Sequence, residues 1–296
     1  MPSGVLVIDK PSGMTSHDVV NVVRRLADTR RVGHAGTLDP IATGLLVVLV
    51  GPTTRLSQYV MHGDKRYSCV ARLGETTSTY DAEGDVLDRS PVDLRLTEIE
   101  SAMRPLTGAI EQVPPMYSAI KVDGRKLYEL AREGKEIQRK PRFVTIRSLS
   151  IVDWQPPDLT LDIVCTPGTY IRSLVHDLGK FLGCGGHVRA LRRVASAPFT
   201  EAQAHTLDEL RELCEGDSIA SALLPPAAAL GEMPMVRLTP EQERAVRYGQ
   251  AIDLATETDP LQARDAYGHL IGILSPISAT QCRPTLVLPP LEDPLR

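Results

Sequence analysis

Between residues 33 and 44 the sequence reads Gly-His-Ala-Gly-Thr-Leu-Asp-Pro-Ile-Ala-Thr-Gly, which sets one imidazole, His34, and one carboxylate, Asp39, five positions apart. Three glycines and a proline in so few residues describe a shaped loop, and Pro40 steers Asp39 away from helical dihedrals. An apolar run, Leu45 to Val50, follows and reads as a strand buried on both faces. A carboxylate on a rigid loop at the mouth of a buried strand suits a nucleophile or a base. Taken alone, Asp39-Pro40 is more often a plain turn whose aspartate bonds nearby amides, so its companions elsewhere in the chain decide the matter.

Other chemistries find little support. The sequence has no Gly-x-x-x-x-Gly-Lys phosphate loop, no Gly-x-Gly-x-x-Gly fingerprint and no His-Glu-x-x-His. The seven histidines never fall at metal-ligand spacing with a cysteine or carboxylate, and the five cysteines are scattered and never in Cys-x-x-Cys spacing. No metal, no nucleotide cofactor and no disulfide framework is expected, and a reducing, cytoplasmic setting is the default. What remains is a cofactor-free site built from a carboxylate, arginines and tyrosines. Such a set suits a flipped nucleobase: Tyr67 or Tyr170 supplies a stacking face, cations hold the backbone, and an arginine keeps the carboxylate ionised.

The elements that must position these groups can be placed from periodicity. Val5 to Ile8 is a short strand closed by a turn at residues 9–13, and Thr15 or Ser16 caps a helix running to Arg25. Thr53 or Thr54 opens a helix through Tyr59. Lys65 to Gly74 alternates like a half-buried strand, and the polar residues 75–84 read as a loop. Thr97 with Glu100 suggests a capping-box helix to about Leu106. Asp123-Gly124 turns into a helix over Lys126 to Arg132. Phe143–Trp154 and Leu159–Cys165 are strands, a helix follows Tyr170, and His187–Val194 is a basic strand. Strands and helices interleave without a regular βαβ rhythm, which predicts an α+β fold with a mixed, largely antiparallel sheet flanked by helices. Residues 223–229, rich in proline and alanine, read as a linker, and Met235 to Pro290 is a small β-rich unit with one helix, about Pro240 to Tyr248.

The 296 residues carry a formal net charge of -4, but unevenly: residues 1–200 hold 26 Lys/Arg against 22 Asp/Glu, and residues 201–296 hold 7 against 15. Lys121 to Arg147 alone carries nine basic and four acidic side chains, which fits either a phosphate-tracking surface or a solvated face laced with ion pairs. No apolar run approaches a bilayer span and no secretory signal is visible, so no membrane role is expected.

Residues 33–44 closely resemble the catalytic signature of the TruB family of tRNA pseudouridine-55 synthases. The likeness recurs at residues 10–16 (Lys-Pro-Ser-Gly-Met-Thr-Ser), 65–67 (Lys-Arg-Tyr), 79–84 (Thr-Tyr-Asp-Ala-Glu-Gly), 114–121 (Pro-Pro-Met-Tyr-Ser-Ala-Ile-Lys) and 168–174 (Gly-Thr-Tyr-Ile-Arg-Ser-Leu). Six blocks in the family's order cover most of residues 4–195. The resemblance implies the pseudouridine synthase fold over residues 1–224 and a PUA-like RNA-binding domain over 232–296. It further implies that a uridine at position 55, in the T loop of tRNA, is isomerised by C1′–N1 cleavage and reattachment through C5, with base flipping and without cofactor or metal.

By the same resemblance Asp39 is the essential aspartate, acting at C1′ or on a sugar proton. Tyr67 stacks on the flipped uracil, Tyr170 and Arg172 line the pocket, and Arg172 steers Asp39 and also meets Asp81. Leu191 packs near the base, His34 supports the flipped geometry, and the basic stretch 121–147 closes over the RNA. The expected partner is the T stem-loop of tRNA, bound by a monomer. An RNA-binding protein with an idle pocket would lack Asp39, Tyr67 or Arg172, and all three are present. A guide-RNA-directed relative would carry partner-binding extensions, and the chain has no long basic tail.

Overall fold

The computed structural model describes residues 2–122, 124–216 and 218–290. Asp123 of the expected 123–124 turn and residues 291–296 of the expected C-terminal domain lie outside the described residues. Strand β1 (Gly4–Lys10) leads through helix α1 (Ser16–Leu26) to β2 (Val32–His34) and β3 (Thr43–Val50). A 3-10 turn over Gly51–Leu56 and α2 (Ser57–Met61) precede β4 (Lys65–Leu73). A hairpin follows, β5 (Glu75–Thr77) with β6 (Val86–Arg89), then α3 (Leu96–Met103) and β7 (Gly108–Gln112). The short strands β8 (Lys121–Val122) and β9 (Arg125–Lys126) introduce α4 (Leu127–Arg132). The long hairpin β10 (Arg142–Gln155) and β11 (Asp158–Cys165) leads to α5 (Ile171–Phe181), β12 (Gly186–Ser196), β13 (Phe199–Thr200) and α6 (Leu207–Gly216).

The central sheet runs β1-β3-β12-β4-β11-β10-β7, with β2 on β3 and β13 on β12. It is antiparallel except where β12 meets β3. The expected α+β class, mixed and largely antiparallel, is therefore what the chain adopts.

Strand β3 lies at the centre of the packing. From Gly44 to Val50 it is wholly buried, and its alternate residues feed two cores. Leu46, Val48 and Val50 face Val19 and Val23 of α1 and the apolar side of α5. Leu45, Val47 and Leu49 face Val60, Leu230, Ile273 and Leu286. Period-two alternation sends neighbouring side chains to opposite faces, and each fully buried Val or Leu contributes roughly 1.5–3 kcal/mol of apolar burial. Gly44 has φ +92, and a Cβ there would lie 2.4 Å from the Arg193 carbonyl oxygen, so β3 and β12 meet only because residue 44 has no side chain.

Beyond residue 234, β14 (Met235–Arg237), α7 (Pro240–Arg247), β15 (Ile252–Asp253), β16 (Leu261–Arg264), β17 (Leu270–Pro276) and β18 (Gln281–Val287) form a separate five-stranded sheet with one helix. Its Ile273 and Leu286 share a core with β3.

Several expectations need correction. Residues 75–84 are not all loop: Glu75–Thr77 pairs with β6, and Gly74 N–H donates to the Gly185 carbonyl to carry the chain into the hairpin. Residues 33–34 belong to β2 rather than to the shaped loop, because Gly33 and His34 pair with Leu49 and Val48. The cap of helix α3 is Arg95, two residues before the predicted one, since Glu98 reaches back to accept from the Arg95 amide at 2.7 Å. The stretch from Thr53 to Tyr59 is a 3-10 turn followed by a single α turn rather than one helix. Residues 223–229 are no free linker: Leu224 bridges to Val5, and Pro226 and Ala229 are buried. Apolar prolines and alanines that find a core to enter lose the freedom their composition would otherwise allow.

Candidate active site

Asp39 sits on the loop between β2 and β3, and the backbone of that loop is tied on both sides of it. Ser16, the first residue of α1, accepts from Leu38 N–H at 2.8 Å and donates to the Leu38 carbonyl at 3.0 Å. The Pro40 carbonyl accepts from Gly13 N–H at 2.9 Å and from the Lys10 ammonium at 3.3 Å. Ala42 N–H donates to the Asp39 carbonyl at 3.1 Å and closes the turn. The Asp39 side chain is thus held on a backbone whose polar groups are already paired.

The facing cation comes from the first turn of α5. Arg172 is 4% exposed, and its Nε lies 2.9 Å from Asp39 Oδ2. Its Nη1 lies 3.2 Å from Asp81 Oδ2 and donates to the Thr79 carbonyl at 3.0 Å, while Nη2 donates to the Tyr117 carbonyl at 2.7 Å. Asp81 itself is almost fully buried, accepting from the Thr79 hydroxyl at 2.5 Å and the Glu83 amide at 3.1 Å. The planar guanidinium fork can satisfy this many partners at once, whereas an ammonium could not.

The start of α5 is fixed from the other side by the strand that precedes residues 113–117. The buried Gln112 amide accepts from Tyr170 N–H at 2.8 Å and donates to the Tyr170 carbonyl at 3.0 Å, and Ser173 donates to the Val113 carbonyl at 2.8 Å. One turn further along α5, His176 stacks on Tyr80 with ring centroids 3.7 Å apart and planes 11° from parallel. Tyr80 has φ +63, a left-handed conformation costing roughly 1–2 kcal/mol, and the stack helps to hold it there between Thr79 and Asp81.

These groups enclose a cavity of about 480 Å³ whose walls include Asp39, Tyr67, Tyr170, Arg172, Leu191 and Arg193. That volume falls within the roughly 300–1,000 Å³ of small-molecule sites. Tyr67 on β4 and Leu191 on β12 are 8% and 7% exposed, so both present only an edge or face to the cavity. The Arg142 guanidinium lies over the Tyr170 ring at 5.8 Å and brings one cation of the basic stretch against a ring that lines the cavity.

The electrostatics follow from burial. Asp39 keeps a third of its side chain accessible but sits deep among protein atoms, and that desolvation raises its carboxyl pKa against the lowering effect of Arg172. The nearby Asp81 charge pushes in the same direction as burial. Burial also raises the Tyr67 and Tyr170 phenols, which stay protonated at neutral pH. It lowers the Lys10 ammonium to about 8, although the Asp39 charge partly offsets this.

The sequence matches the model of the TruB family pseudouridylate synthase N-terminal domain over residues 24–171 and that of the tRNA pseudouridylate synthase B C-terminal domain over 172–230. A protein named tRNA pseudouridine synthase B from Syntrophotalea carbinolica is 46% identical over 248 residues, 83% of this chain and 81% of that one. The chain belongs to the TruB family of pseudouridylate synthases. A protein of the same name from Pseudomonas aeruginosa is 43% identical over 276 residues, 92% of this chain and 91% of that one. A solved H/ACA ribonucleoprotein bound to a substrate RNA containing 2′-deoxyuridine superposes with a TM-score of 0.75 at 23% identity, over 97% of this chain and 85% of that one, and shares the fold.

Among the residues singled out in the sequence of this TruB-family chain, Asp39, Tyr67, Tyr170, Arg172 and Leu191 line one cavity. Asp81 stands behind Arg172 rather than in the wall. His34 is half-buried on β2 and is not among the cavity-lining residues; its imidazole pKa is lowered by burial and by the Arg193 charge. Of the basic stretch, Arg125 and Lys135 pair with Glu133, Arg139 with Glu136 and Arg147 with Asp64. Ser16 and Lys10 brace the loop of Asp39, Gln112 braces the start of α5, and Arg193 lines the cavity; none of the four was named as a site residue from the sequence. A buried polar side chain has no sequence signature, although Lys10 and Gln112 both border resemblance blocks or tight turns.

Proposed function

We propose that this chain isomerises uridine at position 55, in the T loop of tRNA, to pseudouridine, with Asp39 as the reacting carboxylate. The observation that carries this reading is the buried Arg172 guanidinium 2.9 Å from Asp39 at the wall of a cavity that also holds Tyr67 and Leu191. The target base leaves its stack and enters the cavity, where the Tyr67 ring offers a face and Leu191 an apolar neighbour. Asp39, kept ionised by Arg172, attacks C1′ or removes a sugar proton, and the C1′–N1 bond breaks with its electron pair on N1. The base turns, and C5 bonds to C1′ as the Asp39–C1′ bond breaks or the sugar proton returns, with N1 taking up a proton in exchange for the one C5 loses. The C5 proton is then released to restore the aromatic base. Neither route draws on a cofactor or metal.

The rest of the expected organisation belongs to the same reading. Residues 1–224 form the catalytic unit and 232–296 a PUA-like unit, the basic stretch 121–147 faces the T stem-loop, His34 supports the flipped T loop, and the chain acts as a cytoplasmic monomer. The names of its relatives, tRNA pseudouridine synthase B, support the substrate. The test is Asp39→Ala and Asp39→Asn on unmodified tRNA transcript. Pseudouridine formation is expected to vanish while tRNA binding stays near the unsubstituted level, and full activity in either variant would overturn the assignment.

A further inference from the structure

Arg193 is, among the described residues, the largest side chain that is fully buried, at 1% exposure. A guanidinium taken out of water at that depth normally meets a carboxylate. Here it meets backbone instead. Nε donates to the Leu45 carbonyl at 2.7 Å, Nη2 to Gly36 at 3.0 Å and Nη1 to Thr37 at 3.4 Å. The last two carbonyls lie on the arm of the loop that precedes Asp39, and the first lies on β3 just beyond that loop. The backbone of Arg193 occupies an equally particular place: it pairs with Tyr67 of β4 on one side and with Gly44 of β3 on the other. One residue therefore touches the strand of the stacking tyrosine, the strand that follows the loop of Asp39, and the arm of that loop that precedes Asp39.

The charge of Arg193 serves no carboxylate of the site, since Asp39 is partnered by Arg172. The Arg193 charge also opposes the rise that burial imposes on the Tyr67 phenol. We propose that Arg193 is a positioning residue: its guanidinium sets the distance between the loop bearing Asp39 and the strand bearing Tyr67, and so the geometry in which acid and stacked base meet. This rests on the isomerisation proposed above. An ammonium on a shorter, pointlike head reaches fewer of the three carbonyls, so Arg193→Lys keeps the charge and loses the span.

The test compares Arg193→Lys, Arg193→Ala and the unsubstituted chain on unmodified tRNA transcript, with a melting curve for each. If the unsubstituted chain forms no pseudouridine, the proposed function fails before Arg193 is in question. With activity present, Arg193→Lys is expected to lose about 100-fold in kcat while KM stays within about threefold, the pattern of misplaced rather than missing chemistry. Methylguanidinium should restore part of the kcat of Arg193→Ala, because the emptied space opens on the cavity, and methylammonium should not. A kcat within about threefold of the unsubstituted chain in Arg193→Lys, or a loss confined to KM, would overturn the proposal. So would unfolding of both variants, which would assign Arg193 to stability alone, or equal rescue by the two cations.

Discussion

Arg172 Nε lies 2.9 Å from Asp39 Oδ2, and the two residues are far apart in sequence: one on a loop before β3, the other in the first turn of α5. Burial raises the Asp39 pKa and the Arg172 charge is the strongest influence opposing it, so the guanidinium extends to lower pH the range in which the carboxylate is available.

Arg172→Met is expected to shift the acidic limb of the kcat profile to higher pH, because the raised Asp39 pKa then loses its main counterweight. Activity depends on the ionised acid, so it falls as pH drops through that pKa. The same variant strands Asp81, which is 4% exposed at its side chain, and removal of one partner of such a buried pair costs about 3–5 kcal/mol of stability. A pH–rate profile and a denaturation curve check both. An unmoved acidic limb in a folded, active variant would contradict the role given to Arg172.

Tyr67→Leu is expected to lower kcat far more than it weakens tRNA binding. Stacking of one base on an aromatic ring contributes about 1–3 kcal/mol, and Tyr67, buried in the wall, can supply it only after the base has left the helix. Single-turnover rates beside filter-binding affinities separate the two. Equal losses in both would place Tyr67 in RNA docking instead.

His176 gives a prediction about stability and pH. Burial, then the Lys180 and Arg139 charges, lower its pKa from 6.5 to about 4 in the folded chain. Between those two values the unfolded state binds more protons, so the stability tied to neutral His176 is complete above pH 6.5 and declines toward pH 4. His176→Phe keeps a ring against Tyr80 and removes that titration. Its melting temperature is expected to fall less between pH 7 and pH 5 than that of the unsubstituted chain, and a parallel fall in the two proteins would contradict the assignment.

Much of this arrangement was legible beforehand, for physical reasons that differ from residue to residue. The loop of Asp39 announced itself because glycine and proline constrain backbone directly, and β3 because six apolar residues in a row, Leu45 to Val50, have few other fates. Helix α1 was marked by a cap at Thr15 or Ser16, and the structure settles on Thr15, whose reciprocal bonds with Asp18 are local. The convergence of Asp39, Tyr67, Tyr170, Arg172 and Leu191 rested on the resemblance, since no periodicity places residues so far apart in sequence in one cavity. What was not legible depends on partners distant in sequence. His34 pairs with Val48 to make an edge strand, Leu224 pairs with Val5, and Gln112 grips the backbone of Tyr170 from 58 positions away. Arg193 looked like one more cation in a basic strand, and its burial could be learned only from the carbonyls it meets.

The most direct measurement is a pseudouridine map of unmodified tRNA transcript after incubation with the purified chain in the presence of a chelator, beside a transcript in which the T-loop target uridine is replaced by cytidine. One pseudouridine, at T-loop position 55 of the first transcript and absent from the second, is the predicted result. Pseudouridine elsewhere in the first transcript, or none at all from a folded and tRNA-binding chain, would contradict it.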